Sequence, residues 1–434
     1  MDFERIIKRA KGLFDSVELF YLKKKTKKYE SRDLDINNIE FKEEEGIALR
    51  GIRNNRLVFS YTFELNDDGI NWLLSNCEEL LPFADEDVDY AFSCPYDDYP
   101  FLHIYDKEGI NLDDRTKKEF IIELESAMKD YDKRIVTTRG CELHEEEIEM
   151  HIINSKGISK SAKKTVYALT GMAVAKDKDE VSWYDWEWSN FFKDLNARKL
   201  GMDIAKKAIS FLGSSQIDTG IYDGILKPQA VCDILGIVSS SFLGENLFKN
   251  KTKLKDKVGK QCFSEQLNII DSGKAGINAF FMDGEGIPSK ENHVVSNGVF
   301  LTFLYDNYYG KKFKMESTGN CVRTGIKEPP RCGVRGMYIK NGNTDLNDDT
   351  LSNGIIIKEL IGAHTANPIT GEFSLGAIGH LIKNNKTIPF KEVIFSGNVF
   401  DLFNNIKAVG TDVKFYGIYG SPSLLIEGMR ISGK

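Results

Sequence analysis

The sequence predicts an α+β protein with a mixed α/β N-terminal domain and a mainly antiparallel β C-terminal domain. In the N-terminal half, apolar residues recur at the three- and four-residue steps of helices and also at the two-residue step of strands. From about residue 216, short apolar runs are separated by glycines and Asn/Asp turns, a texture typical of antiparallel sheet. We therefore predict two domains, residues 1–215 and 216–434.

Four amphipathic helices are predicted in the N-terminal domain, where they pack against an antiparallel sheet. Their apolar stripes span Phe3–Phe14, Ile70–Leu81, Phe120–Tyr131 and Leu200–Leu212. Pro82 stops the second helix, because proline cannot continue the hydrogen-bonding pattern. Gly213 ends the fourth, at the position where glycine is favoured just after a helix.

Strands are predicted between these helices. Val17, Leu19 and Tyr21 alternate with polar residues, and a hairpin is expected around Arg53–Arg56, a segment with good turn chemistry. A second sheet segment is predicted from Ile148 onward, with a turn at Asn154–Gly157. The strands of these two segments are Gly46–Arg50, Leu57–Phe63, Thr165–Val174 and Val181–Trp188.

The composition is that of an ordinary soluble protein. The chain has 434 residues, 41% hydrophobic and 28% charged, and a net charge of -7. We expect no nucleic-acid partner, because nucleic acids favour basic surfaces. No apolar run approaches the length of a membrane span, so we expect a cytoplasmic protein with no membrane partner. The seven cysteines include no Cys-x-x-Cys pair, which favours reduced, structural thiols.

A helix is also predicted from Pro228, because proline suits the first helical position. Its apolar series is Val231, Ile234, Leu235 and Val238. The segment that closes it, Gly236–Ser241, contains no imidazole and no carboxylate.

Short blocks along nearly the whole chain resemble the TldD/PmbA family of metallopeptidases. Each block is weak alone, and their order and spacing carry the resemblance. The blocks are Glu43–Arg50, Asn55–Phe59, Asn154–Gly157, Gly259–Glu265, Asp283–Pro288, Ser317–Asn320, Thr370–Ser374 and Ile431–Gly433. The resemblance implies an N-terminal α+β domain and a C-terminal, partly open barrel-like domain.

The family's catalytic TldD subunits carry a His-Glu-x-x-x-His helix, which aligns with Gly236–Ser241. The chain therefore resembles the TldE (PmbA)-type subunit, which lacks the motif. A zincin-type site needs imidazole ligands and a carboxylate that activates the bound water. The resemblance thus implies no catalytic residue, metal or other cofactor in this chain, with the metal ion on a TldD-like partner.

The resemblance further implies a dimer that encloses a peptidase chamber, in which this chain binds an extended or unfolded peptide and has no activity alone. A homodimer stays open beside the heterodimer with a TldD-like subunit. The composition of the polar loops 317–321 and 370–374 favours hairpin turns. Their hydroxyl groups and main-chain donors would also suit the binding of an extended peptide. The residues expected to contact peptide are Glu285, Ser317, Thr318, Gly319, Asn320, Thr370 and Ser374.

Two alternative functions remain open for this chain. One is a non-enzymatic, peptide-binding regulatory homodimer. The other is an active metallopeptidase or cysteine hydrolase with unrecognised ligands. For a metal site, His364 and His380 are expected on neighbouring strands, where Cys321 or Cys332 could complete a His/His/Cys set. For a hydrolase, the charge of Arg323 would lower the pKa of Cys321 if the two side chains meet.

Overall fold

Three six-stranded sheets, a two-stranded ribbon and nine α-helices organise residues 2–434, the part of the chain that this computed structural model describes. Helices hold 22% of the residues and strands 41%. The predicted α+β class is therefore confirmed. None of the helices in residues 2–434 has both the length and the apolar character needed to cross a membrane.

The helices and strands have the following bounds. The helices are α1 Phe3–Ala10, α2 Asp67–Leu80, α3 Lys107–Ile110, α4 Asp114–Lys129, α5 Ala197–Ser210, α6 Pro228–Val238, α7 Gly244–Phe248, α8 Asn307–Lys312 and α9 Val399–Asn404. The strands of the N-terminal half are β1 Ser16–Arg32, β2 Asp35–Arg53, β3 Arg56–Thr62, β4 Ile135–Asn154, β5 Ser159–Lys176 and β6 Glu180–Ser189. Those of the C-terminal half are β7 Gly220–Leu226, β8 Ile269–Ser272, β9 Glu291–Ser296, β10 Val299–Phe300, β11 Cys321–Val322, β12 Arg331–Cys332, β13 Met337–Ile339, β14 Gly354–Ile361, β15 Glu372–Lys383, β16 Lys386–Asn398, β17 Ile406–Val409, β18 Lys414–Tyr416, β19 Tyr419–Ser421 and β20 Leu424–Ser432.

The N-terminal sheet has the order β3-β2-β1-β4-β5-β6, and all its neighbours are antiparallel. The predicted hairpin is confirmed: Asn54 and Asn55 have φ angles of 51° and 58°, the left-handed conformation that a two-residue turn with native twist requires. The predicted second sheet segment starts earlier, at Ile135, and joins the same sheet because β1 pairs with both β2 and β4.

Helices cover this sheet as their apolar stripes predict. α1 and α2 pack at the end formed by β1–β3, and α4 and α5 pack against each other and against β4–β6. The four helices predicted in this region are confirmed, and Gly213 follows α5 with φ 76°. The buried residues under α4 and α5 include Leu124, Leu169, Leu200 and Ile204.

The C-terminal half contains a five-stranded barrel of β7, β14, β15, β16 and β20. The barrel is closed, because β20 pairs with β7 on one side and with β16 on the other. β7 and β14 run parallel, and the other barrel neighbours run antiparallel. The second C-terminal sheet has the order β10-β9-β8-β13-β19-β18. α6 contacts β14 of the barrel and β18 and β19 of this sheet, so it lies between the two.

Candidate functional site

Helix α6 begins at Pro228 as predicted, and its apolar residues anchor it in the C-terminal core. The helix ends at Val238 and continues as a short 3₁₀ turn, Ser239–Phe242. Gly236 and Ser241, the positions aligned with the two family histidines, therefore lie on different elements. The hydroxyl of Ser241 is buried and donates a hydrogen bond to the Pro368 carbonyl at 3.0 Å.

The ring of Tyr419 lies over Gly236. A Cβ atom on Gly236 would be 3.3 Å from Cε2 of this tyrosine, a contact tighter than nine in ten real Cβ contacts. Ser239 donates its hydroxyl proton to the Gly236 carbonyl at 2.9 Å, so the Tyr419 hydroxyl, 2.8 Å from Ser239 Oγ, is the donor in their hydrogen bond. A side chain at position 236 would therefore require the Tyr419 ring to shift by a few tenths of an ångström.

A cavity of about 380 Å³ opens beside this tyrosine; we call it the α6 cavity. Its walls come from α6, from the segment after β14 and from β19. The lining residues are Cys232, Asp233, Gly236, Ile237, Ala363, His364, Ala366, Pro368 and Tyr419. Burial raises the pKa of Asp233 to about 6. A carboxylate, an imidazole and the Cys232 thiol thus line the cavity, but burial raises the pKa of this thiol to about 12, and the three side chains are not grouped as metal ligands.

The two candidate histidines are not on neighbouring strands, and that prediction is wrong. His380 lies on β15, but His364 lies in the 3₁₀ turn Ala363–Thr365, because Gly362 with φ 88° ends β14 there. His380 is buried, stacks on Phe211 at 4.8 Å between ring centroids, and has no hydrogen-bond partner for Nδ1. No three His, Cys, Asp or Glu side chains among residues 2–434 are grouped so that they could hold a metal ion. His364 and His380 are therefore not brought together with a third ligand in the part of the chain that the structure describes.

The structure also contradicts the expectation that the pKa of Cys321 is lowered. Cys321 and Cys332 are register partners on the ribbon β11–β12, and both are free and buried. Burial raises the pKa of each thiol well above its ordinary value, with nearby carboxylates adding to the shift. Arg323 donates to Glu18 and to the Gly284 carbonyl. These thiols therefore lack the lowered pKa of a cysteine nucleophile.

Glu285 lies in the predicted loop Asp283–Pro288 and is 4% exposed. Its Oε1 accepts from Arg50 Nη2 at 3.2 Å, and its Oε2 accepts from the main-chain NH of Asn307 at 3.0 Å. Both carboxylate oxygens are engaged within the chain.

The loop Ser317–Asn320 is also held by internal hydrogen bonds. The hydroxyls of Ser317 and Thr318 both donate to the Tyr305 carbonyl, at 3.1 and 3.0 Å. Asn320 is fully buried and donates to Asp271 Oδ2 at 2.6 Å and to the Gly333 carbonyl at 3.0 Å. Gly319 has φ 75°, and its carbonyl accepts from Arg335 at 3.1 Å. Peptide contact by these residues stays a prediction, and their side chains already stabilise the fold.

Thr370 lies in the loop that includes the cavity-lining residue Pro368, and Ser374 lies on the following strand β15. Thr370 is half-buried, and its hydroxyl donates to Glu372 at 3.3 Å. Ser374 is exposed on β15 opposite Ser396. Within residues 2–434, no hydrogen bond joins this pair to Glu285 or to the loop Ser317–Asn320. Of the predicted peptide contacts, Ser374 is the most accessible.

A buried charge network that the sequence reasoning missed joins the N-terminal sheet to the C-terminal half. Glu18 accepts two hydrogen bonds from Arg50, each 2.9 Å long, and a third from Arg323 Nη2. Arg50 also reaches Glu285. The flanking guanidiniums lower the pKa of Glu18 despite the opposing effect of burial. The available signal was the presence of Glu18 and Arg50 within the mainly apolar segments 17–22 and 47–52.

Next to this network is a cavity of about 190 Å³ between the N-terminal sheet and the C-terminal half, which we call the interdomain cleft. Its lining residues are Phe20, Leu22, Lys24, Ile148, Met150, Ile152, Lys164, Asn278, Phe280, Met282, Asp283, Gly284, Cys321, Val322, Arg323, Thr324, Gly325 and Arg335. Lys164 donates to the carbonyls of Ile277 and Ala279, the latter at 2.9 Å. Burial, with Arg335 nearby, lowers the pKa of Lys164 to about 7.

A further cavity, of about 640 Å³, is polar and contains none of the predicted site residues. It is lined by Glu265, Gln266, Asn268, His293, Ser296, Asn297, Lys340, Asn341, Gly342, Asn343, Thr344 and Val409.

Three family models match the chain in succession. They are PmbA/TldA metallopeptidase domain 1 at residues 17–81, the central domain at 107–212 and the C-terminal domain at 219–433. Together they cover most of the sequence.

Individual proteins are similar over the full length. An uncharacterized protein of Methanocaldococcus jannaschii is 29% identical, with 100% of both chains covered. The metalloprotease PmbA homolog of Buchnera aphidicola is 26% identical over 98% of this chain and 95% of its own length. Among solved structures, TldE from Thermococcus kodakarensis superposes with a TM-score of 0.90 at 20% identity, covering 99% of this chain and 100% of that one. At that identity the structural likeness concerns the fold.

Proposed function

Because the chain belongs to the PmbA/TldA metallopeptidase family and to its PmbA/TldE type, we propose that it is the non-catalytic subunit of a cytoplasmic metalloprotease complex. In this proposal a TldD-like subunit forms a heterodimer with it and supplies the metal ion, which activates water for peptide-bond hydrolysis. This chain binds extended or unfolded peptide and forms the opposite wall of the chamber.

The observation that carries the proposal is the structure around α6. Gly236 and Ser241 stand at the aligned histidine positions, and Ile237 stands at the position of the general base. Tyr419 covers Gly236, and Ser241 is hydrogen-bonded to the Pro368 carbonyl. Hydroxyl and apolar side chains are poor ligands for zinc, which favours Cys, His and carboxylate. These contacts support a subunit that contributes binding surface rather than a reactive centre.

The peptide-binding part of the proposal is supported by the position of Ser374. This exposed serine lies on β15, and the loop that precedes the strand lines the α6 cavity through Pro368. An extended peptide is recognised mainly through main-chain hydrogen bonds to a strand, with side-chain hydroxyls as additional partners. In the proposed complex, Thr370 and Ser374 hold the peptide, while Glu285 and Ser317–Asn320 keep the neighbouring wall rigid.

The test measures metal content and peptidase activity on an unstructured peptide. Three samples are compared: this chain alone, a TldD-like subunit alone and their mixture. We expect a stable heterodimer, with metal only on the TldD-like subunit and turnover that requires both chains. Replacing the glutamate of the partner's His-Glu-x-x-x-His motif by glutamine is expected to abolish turnover without dissociating the dimer.

Two outcomes would contradict the proposal. Stoichiometric metal and turnover in this chain alone would make it a metallopeptidase with unrecognised ligands. A stable homodimer that binds peptide, ignores TldD-like subunits and adds nothing to their turnover would make it a regulatory peptide-binding protein.

A further inference from the structure

The interdomain cleft combines an apolar wall with buried cations. One wall consists of side chains from β1 and β4 of the N-terminal sheet. These are Phe20, Leu22, Ile148, Met150 and Ile152, and Phe280 and Met282 extend this surface from the C-terminal half. A surface of this kind suits an aliphatic or aromatic group, because burying apolar area contributes about 25 cal/mol per Å².

Lys164 is a buried cation in the same cavity without a carboxylate partner. It is 4% exposed, and within residues 2–434 it donates to two main-chain carbonyls and forms no salt bridge. Its ammonium group has three protons but only two protein acceptors, the carbonyls of Ile277 and Ala279. A third acceptor is therefore missing from the protein.

Two arginines add to the positive charge of the cleft. Arg335 is 4% exposed, and its guanidinium donates to carbonyl and hydroxyl oxygens, with no carboxylate at ion-pair distance among residues 2–434. Arg323 pairs with Glu18, but its Nη1 is buried and has no acceptor in the described chain. Burying cations with incomplete partners is costly, and a bound anion would offset that cost.

Asp283, the acidic residue of the cleft lining, acts on Arg335 through its charge but forms no ion pair with Lys164, Arg323 or Arg335. Asp283 uses its oxygens to accept the main-chain NH groups of Glu285, Ile287 and Cys321, at 2.8, 2.9 and 3.1 Å. At the rim, Lys24 pairs with Glu146 at 2.6 Å, and both side chains are partly exposed. The rim charges therefore compensate each other. Lys164 and Arg335 remain as cations of the cavity without an ion pair, beside the unpartnered Nη1 of Arg323.

We propose that the interdomain cleft binds one apolar residue that ends in a free carboxylate, with the carboxylate on the Lys164 side and the apolar group against the β1–β4 wall. The volume of about 190 Å³ is below the roughly 300–1,000 Å³ of sites for larger ligands, so it suits a single residue rather than a whole peptide. The natural source is the C-terminal residue of a peptide. Naming this source rests on the proposed function, whereas binding of the carboxylate does not.

The experiment measures binding to the full chain alone by isothermal titration calorimetry. The probes are N-acetyl-L-leucine, N-acetyl-L-leucinamide, and a hexapeptide ending in leucine with either a free or an amidated C terminus. We expect each acid to bind at least tenfold more tightly than its amide. Tighter binding of the peptide acid than of N-acetyl-L-leucine would identify peptide C termini as the source, and equal affinities would identify small free carboxylates.

Two variants and a matched control locate the site. Lys164→Met removes the cation and is expected to weaken acid binding at least tenfold. Met150→Trp fills the cavity while leaving the cations in place, and it is expected to abolish binding. The control is Lys163→Met, which removes an exposed lysine of the same strand that pairs with Glu149 at 3.1 Å and should leave affinity unchanged. Circular dichroism verifies that each variant is folded.

Equal binding of acid and amide, absence of binding, or full acid affinity in folded Lys164→Met would overturn the inference. None of these results depends on a partner subunit or on turnover. A negative result in the carboxylate-binding experiment would therefore not contradict the proposed function. A negative result in the peptidase test would likewise not contradict carboxylate binding.

Discussion

His380 stacks on Phe211 with ring centroids 4.8 Å apart and planes inclined by 10°. Phe211 in turn stacks on Trp183 at 5.0 Å, so three rings connect barrel strand β15 to the N-terminal sheet. Burial lowers the pKa of His380 to about 4, with Lys358 adding to the shift and Asp348 opposing it. The imidazole is therefore neutral in the folded protein at neutral and mildly acidic pH.

This histidine is expected to make stability fall with acidification. Between about pH 6.5 and pH 4 the unfolded imidazole binds a proton that the folded one does not, so the free energy of unfolding decreases as the pH falls. His380→Phe keeps a ring in the stack and removes the titration. We expect the variant to lose less stability than the parent between pH 7.5 and pH 5, by at most about 2 kcal/mol. Urea unfolding at the two pH values measures this, and parallel losses would contradict it.

Glu18 is expected to be a major stabilising residue of the domain contact. Glu18→Gln leaves Arg50 and Arg323 buried without their shared carboxylate, which costs about 3–5 kcal/mol for a buried pair. The control is Glu43→Gln, which removes a partly exposed partner of Lys23 at 3.0 Å and should cost less than about 1 kcal/mol. Urea unfolding of both variants at pH 7 tests the difference, and similar losses would show that the network does not stabilise the contact.

Asn320 and Ser374 are expected to respond differently to truncation. Asn320→Ala removes a buried amide that bonds Asp271 and the Gly333 carbonyl, and should cost about 2–4 kcal/mol of folding free energy. Ser374→Ala changes an exposed side chain and should alter stability by less than about 0.5 kcal/mol.

If Ser374 holds peptide, the variant Ser374→Ala is expected to weaken peptide binding by the heterodimer, which fluorescence anisotropy would measure. Unchanged peptide affinity in Ser374→Ala would remove this residue from the proposed site.

Local signals were sufficient to predict much of the secondary structure. Asn54 and Asn55 mark the hairpin because asparagine tolerates positive φ, and Pro228 marks the start of α6 because it suits a first turn. The absence of the His-Glu-x-x-x-His motif at Gly236–Ser241 is also evident from the sequence. All these features depend only on residues that are close together in the sequence.

Features that depend on distant residues were not predictable in this way. Closure of the barrel requires β20 to meet β16, and the apposition of Cys321 and Cys332 requires the ribbon β11–β12 to form. Lys164 lies in a strand with other lysines, and only the contact with the segment around Ile277 buries it. The charged cleft arises from packing between the two halves of the chain, which periodicity does not reveal.

The buried amine of Lys164 is expected to oppose folding most strongly at and below neutral pH. Its pKa is lowered from 10.5 to about 7, first by burial and then by Arg335, with Glu146 opposing the shift. Between pH 7 and pH 10.5 the unfolded chain keeps the proton that the folded chain releases, so the stability of the parent rises with pH. Below pH 7 the full cost of the buried charge is present.

Lys164→Met removes this titration together with two hydrogen bonds to carbonyls. We expect the stability of the variant relative to the parent to be highest at pH 7 and to fall by up to about 3 kcal/mol by pH 9, at about 1.4 kcal/mol per pH unit. Urea unfolding at the two pH values measures the change, and the control Lys163→Met should show none. Identical pH profiles for parent and Lys164→Met would mean that the amine is stably charged in the fold. A buried lysine with a strongly lowered pKa in a cleft is a feature found often at functional sites.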